Sequence, residues 1–339
     1  MSARVAWLFP GHGSQYPGMG REVLQVSAAA REVFEAAEDL SELPLRKVML
    51  SGPAERLGRP AMLEPALAAL SLAHAAWLAD YGLAPDSVAG YSAGEVAALY
   101  AAGVLCRVDA LRLAVLRGRV LERAAAGPAV RTVALCCVPS RQVADLVRSL
   151  ESRGPIAIAG WNAEDHTTIT GMAEIVCDAE RSARALGAVA SAVEVGGAWH
   201  SPMLAEAAAE VLDWSRDVEF RPPCVPLYAG ASGRRESDPD RIRLCVARQI
   251  CQPVRWRQVL DSLLRNGCTR FLELGPGGVL TSFLRRRRRG DLALDVQCVE
   301  RRGGALGALD RLGGAARKRA GARVSWQPHR RQSTVTPHG

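Results

Sequence analysis

The stretch Asp86-Ser87-Val88-Ala89-Gly90-Tyr91-Ser92-Ala93-Gly94-Glu95-Val96-Ala97-Ala98-Leu99-Tyr100 decides the fold. Its first four residues are short and partly apolar, as a buried strand is, and from Glu95 onward the pattern is helical. Between them lies Gly-x-Ser-x-Gly, the elbow that presents a serine nucleophile, and strand, sharp turn, helix is the context it requires. Gly90 and Gly94 carry no Cβ, which permits a strained turn and close packing of helix on strand. Ser92 Oγ is then expected near a helix N-terminus, where unpaired backbone N–H groups can stabilise an oxyanion. The same five residues also describe an ordinary glycine-rich turn, so the rest of the chain must decide between them.

Working outward, apolar β-type runs alternate with helical segments. Strands are expected at Val5–Phe9, Ser87–Gly90, Pro226–Ala229, Arg270–Leu274 and Leu294–Val299, and helices at Met62–Tyr81, Val108–Ala126, Met203–Val218 and Val254–Asn266. This alternation predicts an α/β fold with a largely parallel sheet. The middle of the chain differs. Arg131–Val138, Ile156–Gly160, Thr167–Thr170 and Val189–Val195 read as strands, with helices at Ser140–Ser152 and Ala173–Leu186. The order β-α-β-β-α-β is the ferredoxin-like arrangement. Residues 128–198 are therefore read as a small subdomain inserted into a larger, discontinuous domain of residues 1–127 and 199–305. A cleft between two such units is a common ligand site.

The chain has 339 residues, 48% of them hydrophobic and 23% charged, which suits a globular protein. No apolar run is read as long enough to span a bilayer, and Met1–Pro10 is too short in apolar residues for a secretory signal. A cytoplasmic protein with no membrane partner is expected. The nine cysteines are scattered, mostly in apolar stretches and without a Cys-x-x-Cys pair, so reduced, buried thiols and no metal site are expected.

The net charge of +8 is uneven: residues 285–339 carry fourteen Arg or Lys against four Asp or Glu, which leaves −2 for residues 1–284. Arg285–Arg289 are five consecutive arginines. Residues 306–339 are rich in Gly, Ala and Arg without an apolar period, and read as a basic, disordered tail. No aromatic interleaving accompanies the basic residues, so no nucleic-acid partner is expected.

A serine nucleophile needs a base, and the chain has six histidines. His329 and His338 lie in the tail. His74 shares a helix side with Leu67, Leu70 and Leu78 and reads as packed. His166 sits in the polar loop Asn162-Ala-Glu-Asp-His166 and reads as exposed. His12 lies in the glycine turn Pro10-Gly11-His12-Gly13-Ser14-Gln15. His200, in Gly196-Gly-Ala-Trp-His200-Ser-Pro-Met, falls where the small subdomain should rejoin the large one, facing the cleft. By elimination His200 is the candidate base for Ser92.

Five motifs occur in order: Phe9-Pro-Gly-His-Gly-Ser-Gln15, Gly90-Tyr-Ser-Ala-Gly-Glu95, Leu116-Arg117-Gly118, Trp199-His-Ser-Pro202 and Glu273-Leu-Gly-Pro-Gly-Gly278. Together they resemble the malonyl-CoA:acyl-carrier-protein transacylase family, which includes stand-alone enzymes of fatty-acid synthesis and acyltransferases of polyketide synthases. The similarity runs from about Val5 to about Val299. It implies an α/β-hydrolase-like core with an inserted ferredoxin-like subdomain, in agreement with the outline above.

The resemblance also implies a chemistry. Ser92 would attack the thioester of an acyl-CoA, and His200 would take its proton and return it to the leaving thiol. The acyl-serine would then pass its acyl group to the phosphopantetheine thiol of an acyl carrier protein. This ping-pong exchange between two thioesters needs no metal or redox cofactor. The oxyanion would rest on the backbone N–H groups of Ala93 and His12. Gln249 matches the position whose side chain or backbone carbonyl stands behind the histidine. Arg117 matches the arginine that pairs with the free carboxylate of malonyl-type groups, which a guanidinium can grip bidentately. Tyr91, Trp199 and Asn162 complete the expected substrate-binding set.

Three residues depart from the family pattern: His12 and Tyr91 replace a usual glutamine and histidine, and Trp199 precedes His200. A bulky tryptophan there should disfavour an α-methyl branch, although one methyl group is worth only about 1–3 kcal/mol in such a pocket. Acyl identity stays open at this level, an atypical acyl group included. So does the alternative of a thioester hydrolase, against which Arg117 argues because related editing hydrolases often lack it. A catalytically silent carrier-protein binding module is the reading that the Ser92, His200 and Gln249 set opposes. Arg285–Arg289 could steer an acidic carrier protein.

Overall fold

The computed structural model describes residues 3–127, 129–193, 197–286 and 294–300. Among the described residues, ten strands form two sheets. Strands β1 (Arg4–Phe9), β2 (Ser87–Gly90), β7 (Leu227–Ala229), β8 (Arg234–Glu236), β9 (Cys268–Glu273) and β10 (Asp295–Cys298) make the large sheet, in the order β10-β9-β1-β2-β7-β8. All neighbours are parallel except the β7–β8 edge pair. The short β8, with Arg234, Arg235 and Glu236 as its sequence, carries no apolar alternation and is not legible as a strand.

Strands β3 (Val130–Cys136), β4 (Ile156–Ala163), β5 (His166–Met172) and β6 (Val189–Ala192) form the second sheet, fully antiparallel, in the order β4-β5-β3-β6. Helices α8 (Ser140–Leu150) and α9 (Ala173–Ala185) pack on it through Val143, Val147, Ile175, Val176 and Ala179. This is the ferredoxin-like order, and it is a separate small core.

Helices cover both faces of the large sheet, as a buried parallel sheet requires. On one face lie α5 (Pro60–Asp80), α6 (Gly94–Ala101), α7 (Arg107–Ala125), α10 (Ala205–Trp214) and α11 (Pro239–Cys251); on the other lie α12 (Trp256–Arg265) and α13 (Val279–Arg286). Four helices before α5 were not read from the sequence: α1 (Arg21–Val26), α2 (Ala28–Ser41), α3 (Leu45–Ser51) and α4 (Ala54–Gly58). Three of them run seven residues or fewer, too short for a clear 3.6-residue period. Helix α2 is started by Ser27, whose side chain accepts from the Ala30 N–H.

Helix α5 corrects one expectation. It is 21 residues long and apolar enough to cross a membrane, but 17 of those residues are buried, among them Leu63, Leu67, Leu70 and Leu78. A helix that is apolar all round and lies inside a protein core needs no bilayer. His74 on this helix is fully buried, with Nε2 2.9 Å from Glu300 Oε2. The cysteines are a second correction. None of the nine is in a disulfide, but only Cys268 and Cys298 are buried, while Cys137, Cys177 and Cys224 are exposed. Helical and turn surfaces place small thiols outward as readily as inward, so apolar neighbours in sequence did not decide their burial. The basic tail at 306–339 and the last three of the five arginines, 287–289, lie outside the described residues.

The small sheet meets the large domain along one line. Gly160 bridges Val254, with Trp161 N–H donating to Val254 O at 2.8 Å and Val254 N–H donating to Ala159 O at 2.9 Å. This seam runs beside the turn after β2 and leaves a cavity of about 510 Å³ above it.

Candidate active site

The β2–α6 turn builds the centre of this cavity. Ser92 takes a φ of +54°, in the left-handed region that a non-glycine residue rarely adopts. The strain is held from both sides. Tyr91 N–H donates to Phe9 O at 2.9 Å, and Glu95 N–H donates to Ser92 O at 2.9 Å. A Cβ on Gly94 would run into the backbone of Phe9, so only glycine lets α6 start this close to β1. The turn thus lifts Ser92 to the rim of the sheet and the N-terminus of α6 (Gly94–Ala101).

His200 arrives from the other side of the cavity, also in the left-handed region with a φ of +59°. Its own N–H donates to Ile250 O at 3.0 Å, which ties it to the end of α11. Ser92 Oγ and His200 Nε2 are 2.8 Å apart, and His200 Nδ1 is 2.5 Å from Gln249 O. A carbonyl can only accept, so Nδ1 carries the proton and Nε2 is the acceptor facing the serine hydroxyl. Burial is the largest influence on the imidazole and lowers its pKa to about 4 against the opposing bond to Gln249. His200 is therefore neutral at pH 7 and can receive a proton from Ser92.

Gln249 was expected behind the histidine through either its side chain or its carbonyl; the carbonyl is the contact. The side chain, fully buried, does something else. Its Oε1 accepts from Arg117 Nη1 at 3.3 Å, and its Nε2 donates to Glu95 Oε2. Glu95 in turn accepts from Gly230 N–H at 3.2 Å, and burial, its largest influence, pushes its pKa up to about 7.

Arg117 lies on α7 and is buried. The residue after it explains its position. A Cβ on Gly118 would stand 2.9 Å from Pro60 O and 3.1 Å from Ala61 Cα, so glycine lets α7 lie against the first turn of α5. That approach sets Arg117 beside Glu64, with Nε donating to Oε2 at 2.8 Å and Nη2 to Oε1 at 3.3 Å. His12 Nε2 lies 3.0 Å from the same Oε1. None of the motifs points to Glu64. Its one signal is a carboxylate inside the otherwise apolar start of α5, and a charge in such a helix implies a buried partner.

Tyr91, Asn162, Trp199 and His12 line the same cavity. Tyr91 OH donates to Asn162 Oδ1 at 2.9 Å, and Asn162 Nδ2 donates to Thr168 Oγ1 at 3.0 Å. These bonds tie the elbow to the small sheet, with the Tyr91 ring packed edge-on to Trp256. Trp199 is buried and stands edge-on to His12 at 5.4 Å between ring centres. Ala93 is buried next to Gly11, whose Cβ position would be 3.4 Å from Ala93 N. Among the described residues, neither the Ala93 nor the His12 backbone N–H has a hydrogen-bond acceptor. Both are free to meet an oxyanion, as at the start of other helices.

His166 corrects the sequence reading. It is half-buried, not exposed: it begins β5, lines the cavity, and packs edge-on to Phe283 at 5.1 Å. Asn162 likewise belongs to β4, and only Glu164 and Asp165 form the turn. A tight two-residue hairpin carries the strands further than a stretch with four polar residues in five suggests. Among the described residues, no group of three or more His, Cys, Asp or Glu side chains is placed to hold a metal ion.

The chain as a whole is similar to known proteins. The family model for the acyl transferase domain matches residues 6–299. The malonyl CoA-acyl carrier protein transacylase of Bacillus subtilis (strain 168) is 31% identical over 85% of this chain and 91% of its own length. The polyketide biosynthesis protein ThaF of Burkholderia thailandensis is 33% identical over 94% of this chain, which spans 26% of that protein. The crystal structure of acyl-carrier-protein-S-malonyltransferase from Bartonella henselae superposes with a TM-score of 0.85 at 33% identity, covering 91% of this chain and 99% of that one. The chain belongs to the acyl transferase domain family and is an acyltransferase.

Proposed function

We propose that the protein moves a malonyl-type acyl group from CoA to the phosphopantetheine thiol of an acyl carrier protein, through an acyl ester on Ser92. The observation that carries this reading is the line Ser92 Oγ, His200 Nε2, His200 Nδ1, Gln249 O, with spacings of 2.8 and 2.5 Å at its ends, in a cavity walled by Arg117. The names of its relatives support both the donor and the acceptor, and ThaF supports a place in polyketide or related synthesis.

His200 takes the Ser92 proton as Oγ attacks the thioester carbonyl. The tetrahedral oxygen rests on the N–H groups of Ala93 and His12. Collapse breaks the C–S bond, and His200 passes its proton to the departing CoA sulfur. The carrier-protein thiol then gives its proton to His200, attacks the ester, and releases Ser92, which recovers its proton from His200. One thioester is broken and one is made, so no redox equivalent or metal enters the balance.

Arg117 orients the acyl group, with Tyr91, Trp199 and Asn162 shaping the wall around it. Substrates of this kind and nine cysteines outside any disulfide support a cytoplasmic location. Intact-protein mass spectrometry after incubation with malonyl-CoA tests the reading. A malonyl adduct is expected on the wild-type chain and none on Ser92→Ala; addition of a carrier protein should discharge it onto the carrier. Discharge to free malonate at the same rate with or without carrier protein would favour hydrolysis instead.

A further inference from the structure

Arg117 is the cation to which an acyl carboxylate would be drawn, and in this chain its charge is already matched. Glu64 fills the Nε–Nη2 side of the guanidinium, at 2.8 and 3.3 Å, and Gln249 Oε1 takes Nη1 at 3.3 Å. Three of its five N–H donors therefore have acceptors within the protein before any substrate arrives. Both ion-pair residues are almost fully buried, at 2% and 1% exposure, yet both border the cavity that holds Ser92. His12 Nε2 lies 3.0 Å from Oε1 of the same carboxylate, the oxygen that Arg117 Nη2 also reaches.

A second carboxylate brought to Arg117 gains an attraction and meets a repulsion from Glu64 at similar range. In a poorly screened cavity both are large and they oppose each other. An unmatched guanidinium would favour a carboxylated acyl group by the strength of a bidentate, charge-assisted pair. With Glu64 in the fork most of that preference is cancelled. Burial alone would raise the pKa of Glu64, but the Arg117 guanidinium and the His12 side chain outweigh it and hold it at about 2, so the opposing charge is present at neutral pH.

We propose that Glu64 is a specificity-determining residue: it occupies the guanidinium fork of Arg117, so that the cavity takes short uncharged acyl groups alongside malonyl. The inference rests on the reading of Ser92 as the acyl acceptor and widens the class of cargo beyond malonyl-type groups. Selection among acyl groups then falls mainly to size, through Trp199 and Tyr91 in the wall.

The test is a competition. Wild-type protein, Glu64→Gln and Glu64→Ala are each mixed with equal amounts of malonyl-CoA and acetyl-CoA, and the early ratio of the two adducts is read by intact-protein mass spectrometry. The ratio is internal to the labelled chains, so a partly misfolded fraction in either variant does not change it. The wild type should carry both adducts in comparable amounts. Both variants should shift the ratio toward malonyl by about tenfold or more, since removal of a like charge facing a bound carboxylate is worth at least that much. An unchanged ratio in the variants, or a wild type that carries malonyl alone, overturns the role of Glu64 and leaves the transferase reading standing. Absence of both adducts on all three proteins overturns the transferase reading and this inference together.

Discussion

Nδ1 of His200 and the main-chain oxygen of Gln249 stand 2.5 Å apart, so the acceptor behind the imidazole is a backbone carbonyl and not a carboxylate. A carbonyl fixes ring orientation and tautomer as a carboxylate would, but it lacks the full negative charge that would stabilise an imidazolium. Burial therefore dominates, and the imidazole is held at a pKa of about 4. The imidazole stays deprotonated over a wide acidic range.

The rate of Ser92 acylation should follow that neutral form. It is expected to stay level on acidification well past pH 6 and to fall with an apparent pKa near 4, where a free imidazole would already titrate at about 6.5. The same shift has a stability consequence. Between about pH 6.5 and the folded value the unfolded chain binds a proton that the folded chain refuses, so stability falls as pH drops through that window. Rapid-quench acylation over a pH series checks the first point; an apparent pKa at or above that of free imidazole would contradict it.

Because the carbonyl remains in Gln249→Ala, this variant should keep the histidine oriented and lose the bridge between Arg117 and Glu95. Its turnover per folded molecule is expected to drop by about tenfold, against about 10²–10⁴-fold for His200→Ala, the usual range for loss of a general base. The price of Gln249→Ala should be in stability, about 1–3 kcal/mol, from buried polar groups left unpaired. Denaturant unfolding together with steady-state transfer rates separates the two effects. Equal losses of turnover in both variants would mean that the side chain, not the carbonyl, serves the histidine.

Glu95 gives a pH-dependent test of the buried network. Its pKa is raised from 4.5 to about 7, chiefly by burial, so the folded chain holds a proton that the unfolded chain releases. That contribution is fully present below pH 4.5 and is lost as pH rises through about 7, reaching roughly 3 kcal/mol for one fully buried group. Glu95→Gln removes the titration and retains an acceptor for Gln249. The Tm of the variant relative to wild type should therefore climb between acidic and alkaline buffers, as thermal unfolding would show. A constant difference across pH would show that Glu95 titrates normally in the folded protein.

Tyr91→Phe should separate position from chemistry at the elbow. The phenol donates to Asn162 Oδ1 at 2.9 Å and so joins the serine turn to the small sheet. Without it a buried acceptor loses its donor, at a cost of about 1–3 kcal/mol. Ser92 and His200 are held by other bonds, so acylation by malonyl-CoA should persist with its KM moved more than its kcat. Thermal unfolding and steady-state kinetics read the two parts; a collapse of kcat with unchanged KM would assign the hydroxyl to the chemical step.

Much of this was legible beforehand because local patterns carried it. Phe9, Ser92 and Glu273 mark the C-terminal ends of parallel strands or the turns that follow them, and each was visible as an apolar run meeting a glycine-rich motif. His200 followed from a count of few histidines. What escaped was set by packing between distant segments. Glu64 is one acidic residue in an apolar helix, and nothing local says that Gly118 on another helix will bring Arg117 against it. His166 looked like a solvated loop residue because the tightness of the β4–β5 turn depends on pairing across the whole hairpin.

The amino-acid order alone determined the longer helices and most strands, their β-α-β-β-α-β insertion, the serine elbow and the histidine that meets it, because periodicity and glycine placement are short-range properties of the chain. The partner of Arg117, the use of the Gln249 backbone in place of its side chain, and the tie from Tyr91 to Asn162 were decided only in the folded molecule. These are contacts across 53, 49 and 71 residues of sequence, and their geometry exists only after the helices and the two sheets have packed.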